Sequence, residues 1–237
     1  MSTHDARFLR STLATLCVAS CAALVGCGGT VCISSGGGCA LINPPPNLAL
    51  SGTAATGKAL ASASVNFSCV QGTGSALSDG GGHYSVTFNA TLPCIITVTS
   101  GSTTLHSLAF AGGTFNTTPE TELMLVYLAS QLGTNEAGLI AGFPENAQFQ
   151  QVLANQTDVL AAQSAVVANL QQHYAVTLST PAFLTTPFVV GQVGVDSDLD
   201  MLATAGAIDA NGSPDPAAVS LLAAAGQSHP VAAVSAP

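Results

Sequence analysis

Asp196, Asp198 and Asp200 stand at alternate positions, the spacing with which a calcium loop begins. Such a loop needs a glycine at its sixth position for the sharp turn and a bidentate glutamate at its twelfth. Met201 and Ala207 stand there instead. Acidic residues are also favoured where a helix begins, by capping and by the helix dipole. That reading predicts a short helix from Asp196-Ser197 to about Ala205, with a weak exposed calcium site as the alternative. Gly52-Thr53-Ala54-Ala55-Thr56-Gly57-Lys58-Ala59 differs from a phosphate loop at its last residue. The hydroxyl that would bind magnesium is replaced by Ala59, and no helix is expected to follow. A β-turn before a strand is expected, with no nucleotide partner. His83, His106, His173 and His229 lie in no recognised ligand spacing, so no metal site and no cofactor are predicted. Glu120 and Glu122 are two apart, on different faces of a helix, and capping is their expected role. There is no Gly-x-Ser-x-Gly elbow, and no catalytic residue is assigned.

Seven cysteines remain as reactive groups. The first two lie in an N-terminal segment with the shape of an export signal. Arg7 and Arg10 are followed by an uncharged run of 16 residues, Ser11 to Gly26. That run is shorter than the roughly 20 residues that span a bilayer as a helix. It ends in Leu24-Val25-Gly26-Cys27, which resembles the lipobox of bacterial lipoproteins. The resemblance implies cleavage before Cys27 and a diacylglycerol on its sulfur. Two or more acyl chains anchor stably where one does not, each buried methylene contributing about 0.8 kcal/mol. By the same analogy Gly28 points to the outer membrane, facing the periplasm or the cell surface. Cys17 and Cys21 would leave with the signal. Cys32, Cys39, Cys69 and Cys94 would remain, an even number in an exported chain, with three possible connectivities. Proximity favours Cys32–Cys39 and Cys69–Cys94. The alternative of a metal at Cys32/Cys39 finds no nearby histidine and no CxxC spacing.

After such cleavage Lys58 is the only Lys or Arg, against eleven Asp and Glu, a net charge of −10. Nucleic acid is a poor partner, because phosphate neutralisation needs clustered Lys and Arg. Adhesion to an anionic membrane through a basic patch is excluded on the same ground. The expected membrane partner is reached through the lipid on Cys27.

The elements that must position these residues fall into blocks. Residues 27–47 read as a lipidated flexible tether, rich in Gly and Ser and ending in Pro44-Pro45-Pro46. Residues 48–115 read as β. Ala63, Val65, Phe67 and Cys69 alternate with polar residues, as do Tyr84, Val86 and Phe88, and Cys94, Ile96 and Val98 share one parity. Cys69 and Cys94 both lie on the apolar parity, where a buried bridge is geometrically allowed. Asp79-Gly80-Gly81-Gly82 is a tight-turn signal. Gly57, Ala63 and Val65, then Asp79, Gly82 and Tyr84, resemble the carboxypeptidase-regulatory-like, transthyretin-like β-sandwich family. The resemblance covers about 65 residues and implies structural, adhesive or accessory roles without catalytic residues.

Residues 116–226 read as helical. Thr118-Pro119-Glu120 starts one helix that runs to near Gly133. A second is expected from about Pro144 to Tyr174, with Phe149, Leu153, Leu160, Val167 and Leu170 on one stripe interrupted by Gln156 and Gln163. After a connector at 175–195 come the helix at Asp196 and a last one after Pro216; residues 227–237 read as a frayed tail. Thr186-Pro187-Phe188 with Asp196, Leu199, Asp200 and Leu202 is similar to a pattern in uncharacterised Gram-negative lipoproteins. The expected fold is α+β, a small antiparallel β-sandwich of transthyretin or immunoglobulin type followed by a helical hairpin or small bundle. The expected function is a non-enzymatic binding or structural role in the envelope, with a protein or glycan partner. An accessory subunit of an envelope transport or secretion assembly and a hydrolase with an unrecognised site are the alternatives.

Overall fold

The computed structural model describes residues 44–231 and the backbone of Thr30–Val31 and Ala40–Leu41. The chain divides into two units, Met1–Asn43 and Pro44–Pro237. In the first, β1 (Thr30–Val31) pairs antiparallel with β2 (Ala40–Leu41). The export signal, Cys27 and the Cys32–Cys39 pairing lie outside the described residues.

The second unit is α+β. Its strands are β3 (Asn47–Thr53), β4 (Ser64–Gln71), β5 (Thr73–Leu77), β6 (His83–Asn89), β7 (Thr91–Ser100), β8 (Thr103–Ala109) and β9 (Gly113–Thr114). They form two sheets, ordered β6-β3-β9 and β5-β4-β7-β8. Only β3 with β9 is parallel. Opposed residues share a face, so Val65↔Val98, Phe67↔Ile96 and Cys69↔Cys94 line one apolar face of the larger sheet. Phe67 carries that face onto the smaller sheet, its ring 6.0 Å from Tyr84 and 5.7 Å from Phe88. Cys69 and Cys94 are joined as a disulfide in this layer. Gly52 is required where the smaller sheet closes. A Cβ there would stand 2.6 Å from Tyr84 Oη and run into the Phe115 carbonyl oxygen, to which the Tyr84 hydroxyl donates.

The expected alternation fails in β7. Ile95 is buried along with Cys94 and Ile96. Its partner across the ladder, Leu108, is buried too. The second face of this sheet is therefore not solvated. Helices cover it, and a strand buried on both faces loses its period of two.

The helices are α1 (Pro119–Gln131), α2 (Glu136–Gly142), α3 (Ala147–Ala154), α4 (Gln156–Tyr174), α5 (Val195–Ala205) and α6 (Pro216–Gln227). Thr118 caps α1. Its Oγ1 accepts from the Thr121 N–H, and its own N–H donates to Thr121 Oγ1. Every residue from Pro119 to Ser130 is buried. A helix buried all round belongs to the interior, and α1 lies between β8 on one side and α2, α4 and α6 on the others. At Gly226 the backbone of α6 comes so close that a Cβ would meet the Tyr127 carbonyl oxygen.

Several expectations are corrected. The single helix from Pro144 is two helices, because Asn155 ends α3 and caps α4 through the Thr157 N–H. The buried stripe of α4 runs through Val159, Ala162, Val166 and Leu170, and Leu160 is only half-buried. Gln163 does not interrupt that stripe; it is buried in it, its Oε1 accepting from the Leu184 N–H at 3.1 Å. Helix α2 was not expected at all. The tether gives way to the sheet before residue 47, since the Pro46 carbonyl accepts from Ala90 and Asn47 opens β3. The tail does not fray at Gln227. His229 O accepts from the Gln131 side chain, and the Val231 N–H donates to Gln131 O.

Candidate functional site

His106 occupies the parity of β8 that faces the helices, opposite Thr97 and two residues before buried Leu108. Its carbonyl accepts from Thr121 Oγ1 at 2.9 Å, which fixes the strand against the first turn of α1. In the same turn, Glu122 reaches back. Its Oε2 accepts from the His106 backbone N–H, and its Oε1 lies 3.1 Å from His106 Nδ1. Glu136, in the first turn of α2, places Oε1 3.5 Å from the same nitrogen. Three elements thus bring one imidazole and two carboxylates together. The side chains are mostly enclosed, with 18, 12 and 21 % of their surface exposed for His106, Glu122 and Glu136. Burial disfavours the imidazolium, but bonding to Glu122 and Glu136 outweighs it and holds His106 up at about 9. Burial also raises Glu122, and Glu136 adds to the rise against the opposing effect of His106.

This arrangement corrects the capping role expected of Glu122. No capping bond is made by Glu122; Thr118 and Thr121 do that work. The available signal was the strand parity of His106, which places it with Leu108 on a face that helices cover. Glu120 departs from the capping expectation differently. It is wholly buried, and neither carboxylate oxygen has a hydrogen-bond partner. Burial, with the charge of Asp198 added, raises its pKa well above the usual range. A buried acceptor without a partner costs about 1–3 kcal/mol. Glu120→Met, which removes both oxygens at similar volume, should therefore stabilise the protein by about 1–3 kcal/mol. A lower denaturation midpoint would show that the carboxyl has a favourable partner.

The three aspartates of the calcium-like spacing do not converge. They lie along α5, whose N-terminal Gly194 N–H is satisfied by Ser197 Oγ. Asp196 accepts from the Gly191 N–H at 2.7 Å. Asp198 accepts from the Ser179 N–H, the Ser179 hydroxyl and the Thr180 N–H. Both carboxylates tie the connector to the helix. Asp200 lies on the turn at Gly57, where a Cβ would stand 2.9 Å from its Oδ1. The phosphate-loop look-alike is the end of β3 and a turn, as expected.

A third polar centre is Asn116, fully buried between the smaller sheet and the connector. Its Oδ1 accepts from the Thr53 N–H at 3.1 Å, and its Nδ2 donates to the carbonyls of Phe183 and Thr186, both at 2.8 Å. Thr53 Oγ1 donates to Phe188 O. Beside this clasp lies an open groove of about 560 Å³, whose lining includes Ser51, His83, Thr114, Phe188 and Val193. Ser51 bonds Thr114 across the sheet, while His83 pairs with Asp79 at 3.2 Å, so the groove brings together no hydroxyl–imidazole pair. Among the described residues the one serine hydroxyl bonded to a histidine ring is Ser228, beside His229.

The residues of the sandwich-like motif have geometric tasks. Asp79 Oδ1 accepts from the N–H groups of Gly81 and His83, bonds that lower its pKa. Gly82 has a φ of 82°, Ala63 and Val65 are core, and Tyr84 closes the sandwich. In comparison with known proteins, the chain matches no family model, no curated protein and no solved structure.

Proposed function

We propose that this chain is a lipid-anchored cell-envelope protein with a binding or structural role, presenting its sandwich and helices to a protein or glycan partner. The observation that carries this reading is the Cys69–Cys94 bridge, formed between directly opposed residues of β4 and β7. Such bridges persist in oxidising compartments and are rare in the cytosol. The Leu24-Val25-Gly26-Cys27 motif supplies the route there and the attachment. Among the described residues no helix is long and apolar enough to cross a membrane, so the lipid on Cys27 is the attachment this reading requires. The likeness to carboxypeptidase-regulatory-like domains supports an adhesive or accessory role. The groove beside Asn116, lined by hydroxyl and apolar groups, is the surface we assign to a neutral polar partner.

Intact mass of the protein taken from membranes, with thiol alkylation before and after reduction, tests the reading. The expected species begins at Cys27, carries acyl mass, and exposes its four remaining cysteines to alkylation only after reduction. A species without acyl mass, or one retaining Met1, overturns it.

A further inference from the structure

We propose that His106, Glu122 and Glu136 form a binding site for one divalent first-row transition-metal ion. The inference goes beyond the envelope reading and does not depend on how the chain is anchored. One ligand atom each from His106, Glu122 and Glu136 lies within 4.8 Å of the others. The two edges that meet at the nitrogen are 3.1 and 3.5 Å. An ion held tetrahedrally at zinc's usual bond lengths to N and O needs donor–donor edges of roughly 3.3 Å. Both measured edges are within a few tenths of an ångström of that value.

The donors are also fixed as metal ligands generally are. The His106 N–H occupies Glu122 Oε2 and turns Oε1 towards the cluster. Thr121 Oγ1 holds the His106 carbonyl, and Asn135 caps the helix that carries Glu136. A second, independent observation concerns Glu136. Its Oε1 is buried, and its pairing with His106 Nδ1 is too long at 3.5 Å to satisfy it as a hydrogen bond; a buried acceptor so poorly satisfied calls for an explanation such as an ion.

Charge balance points the same way. Beyond residue 10 the chain has a single Lys or Arg, Lys58, and that residue is exposed in the turn after β3. Two carboxylates and a neutral imidazole with a divalent ion sum to zero, the ion displacing the proton that otherwise charges His106. Three protein ligands on a partly exposed rim leave a fourth position for water or for a donor from a partner. The mixed nitrogen–oxygen set suits zinc and its neighbours better than calcium, which takes six to eight oxygens.

The test uses the full-length chain, stripped with a chelator and titrated with Zn²⁺ by calorimetry and with Co²⁺ by visible absorption. One equivalent of Zn²⁺ is expected at this site, together with a Co²⁺ spectrum that Zn²⁺ abolishes. Glu136→Ala, at the rim, should still fold without metal and weaken binding at least tenfold. His106→Ala should remove the equivalent. Failure of the wild type to bind, or equal binding by wild type and a folded Glu136→Ala variant, overturns the proposal. In that case the cluster is an ion pair of His106 with two carboxylates and nothing more.

Discussion

Asn116→Ala should lower the stability of the protein by about 3–5 kcal/mol, since two buried backbone groups and a part-buried one lose their partners at a cost of about 1–3 kcal/mol each and such losses are not additive. The groups are the Thr53 N–H and the carbonyls of Phe183 and Thr186. No water replaces the amide easily, because Asn116 is wholly enclosed. Asn116→Asp separates the two sides of the clasp. It keeps an acceptor for Thr53 but loses both donations and sets a carboxylate against two carbonyl oxygens, so it should cost at least as much. Chemical denaturation gives the magnitude, and hydrogen exchange should show lost protection at Thr53 in Asn116→Ala but not in Asn116→Asp. A loss under about 1 kcal/mol for Asn116→Ala, the worth of one ordinary hydrogen bond, would mean that the connector holds its place without the clasp.

Cys69→Ser should cost about 2–4 kcal/mol, the range for a native bridge closing a loop of this order. The bridged residues are 25 apart in sequence, and Cys94 is fully buried. Most of the loss arises in the unfolded chain, which gains the freedom of the opened loop. Reducing the wild-type protein should lower its midpoint by a similar amount and leave the variant where it was. An unchanged melting curve for Cys69→Ser under non-reducing conditions would remove the claim that the bridge stabilises the fold.

What could be read from the sequence was local. Period two in Ala63–Cys69 and in Tyr84–Phe88 locates the strands, and proximity pairs Cys69 with Cys94, a bridge that their shared apolar parity allows. Thr118-Pro119 and Pro216 marked real helix starts. What escaped was set by distant partners. The burial of Ile95 depends on helices that pack on the back of its sheet. The cap at Asn155 restarts the apolar stripe, so a periodicity carried across it chose Leu160 over Val159. Asn116 stands in an ordinary polar run before Thr118, and nothing near it announces partners 63, 67 and 70 residues away. Glu122 meets a strand 16 residues earlier and a helix still to come. No ligand spacing joins His106, Glu122 and Glu136, because their proximity is a product of sheet-on-helix packing.

The position of α1 has a consequence for synthesis. A chain that emerges from its N-terminus delivers both sheets before α1, so the strands find their partners in order. α1 then appears with Leu123, Leu125 and Leu128 in need of cover, and α6, which supplies much of it, begins at Pro216. Until α6 has emerged, one side of this apolar helix lacks its cover, and such surface is what holding chaperones bind and what aggregation exploits. A nascent chain stalled before Pro216 therefore has both sheets but an α1 still missing the cover that α6 supplies.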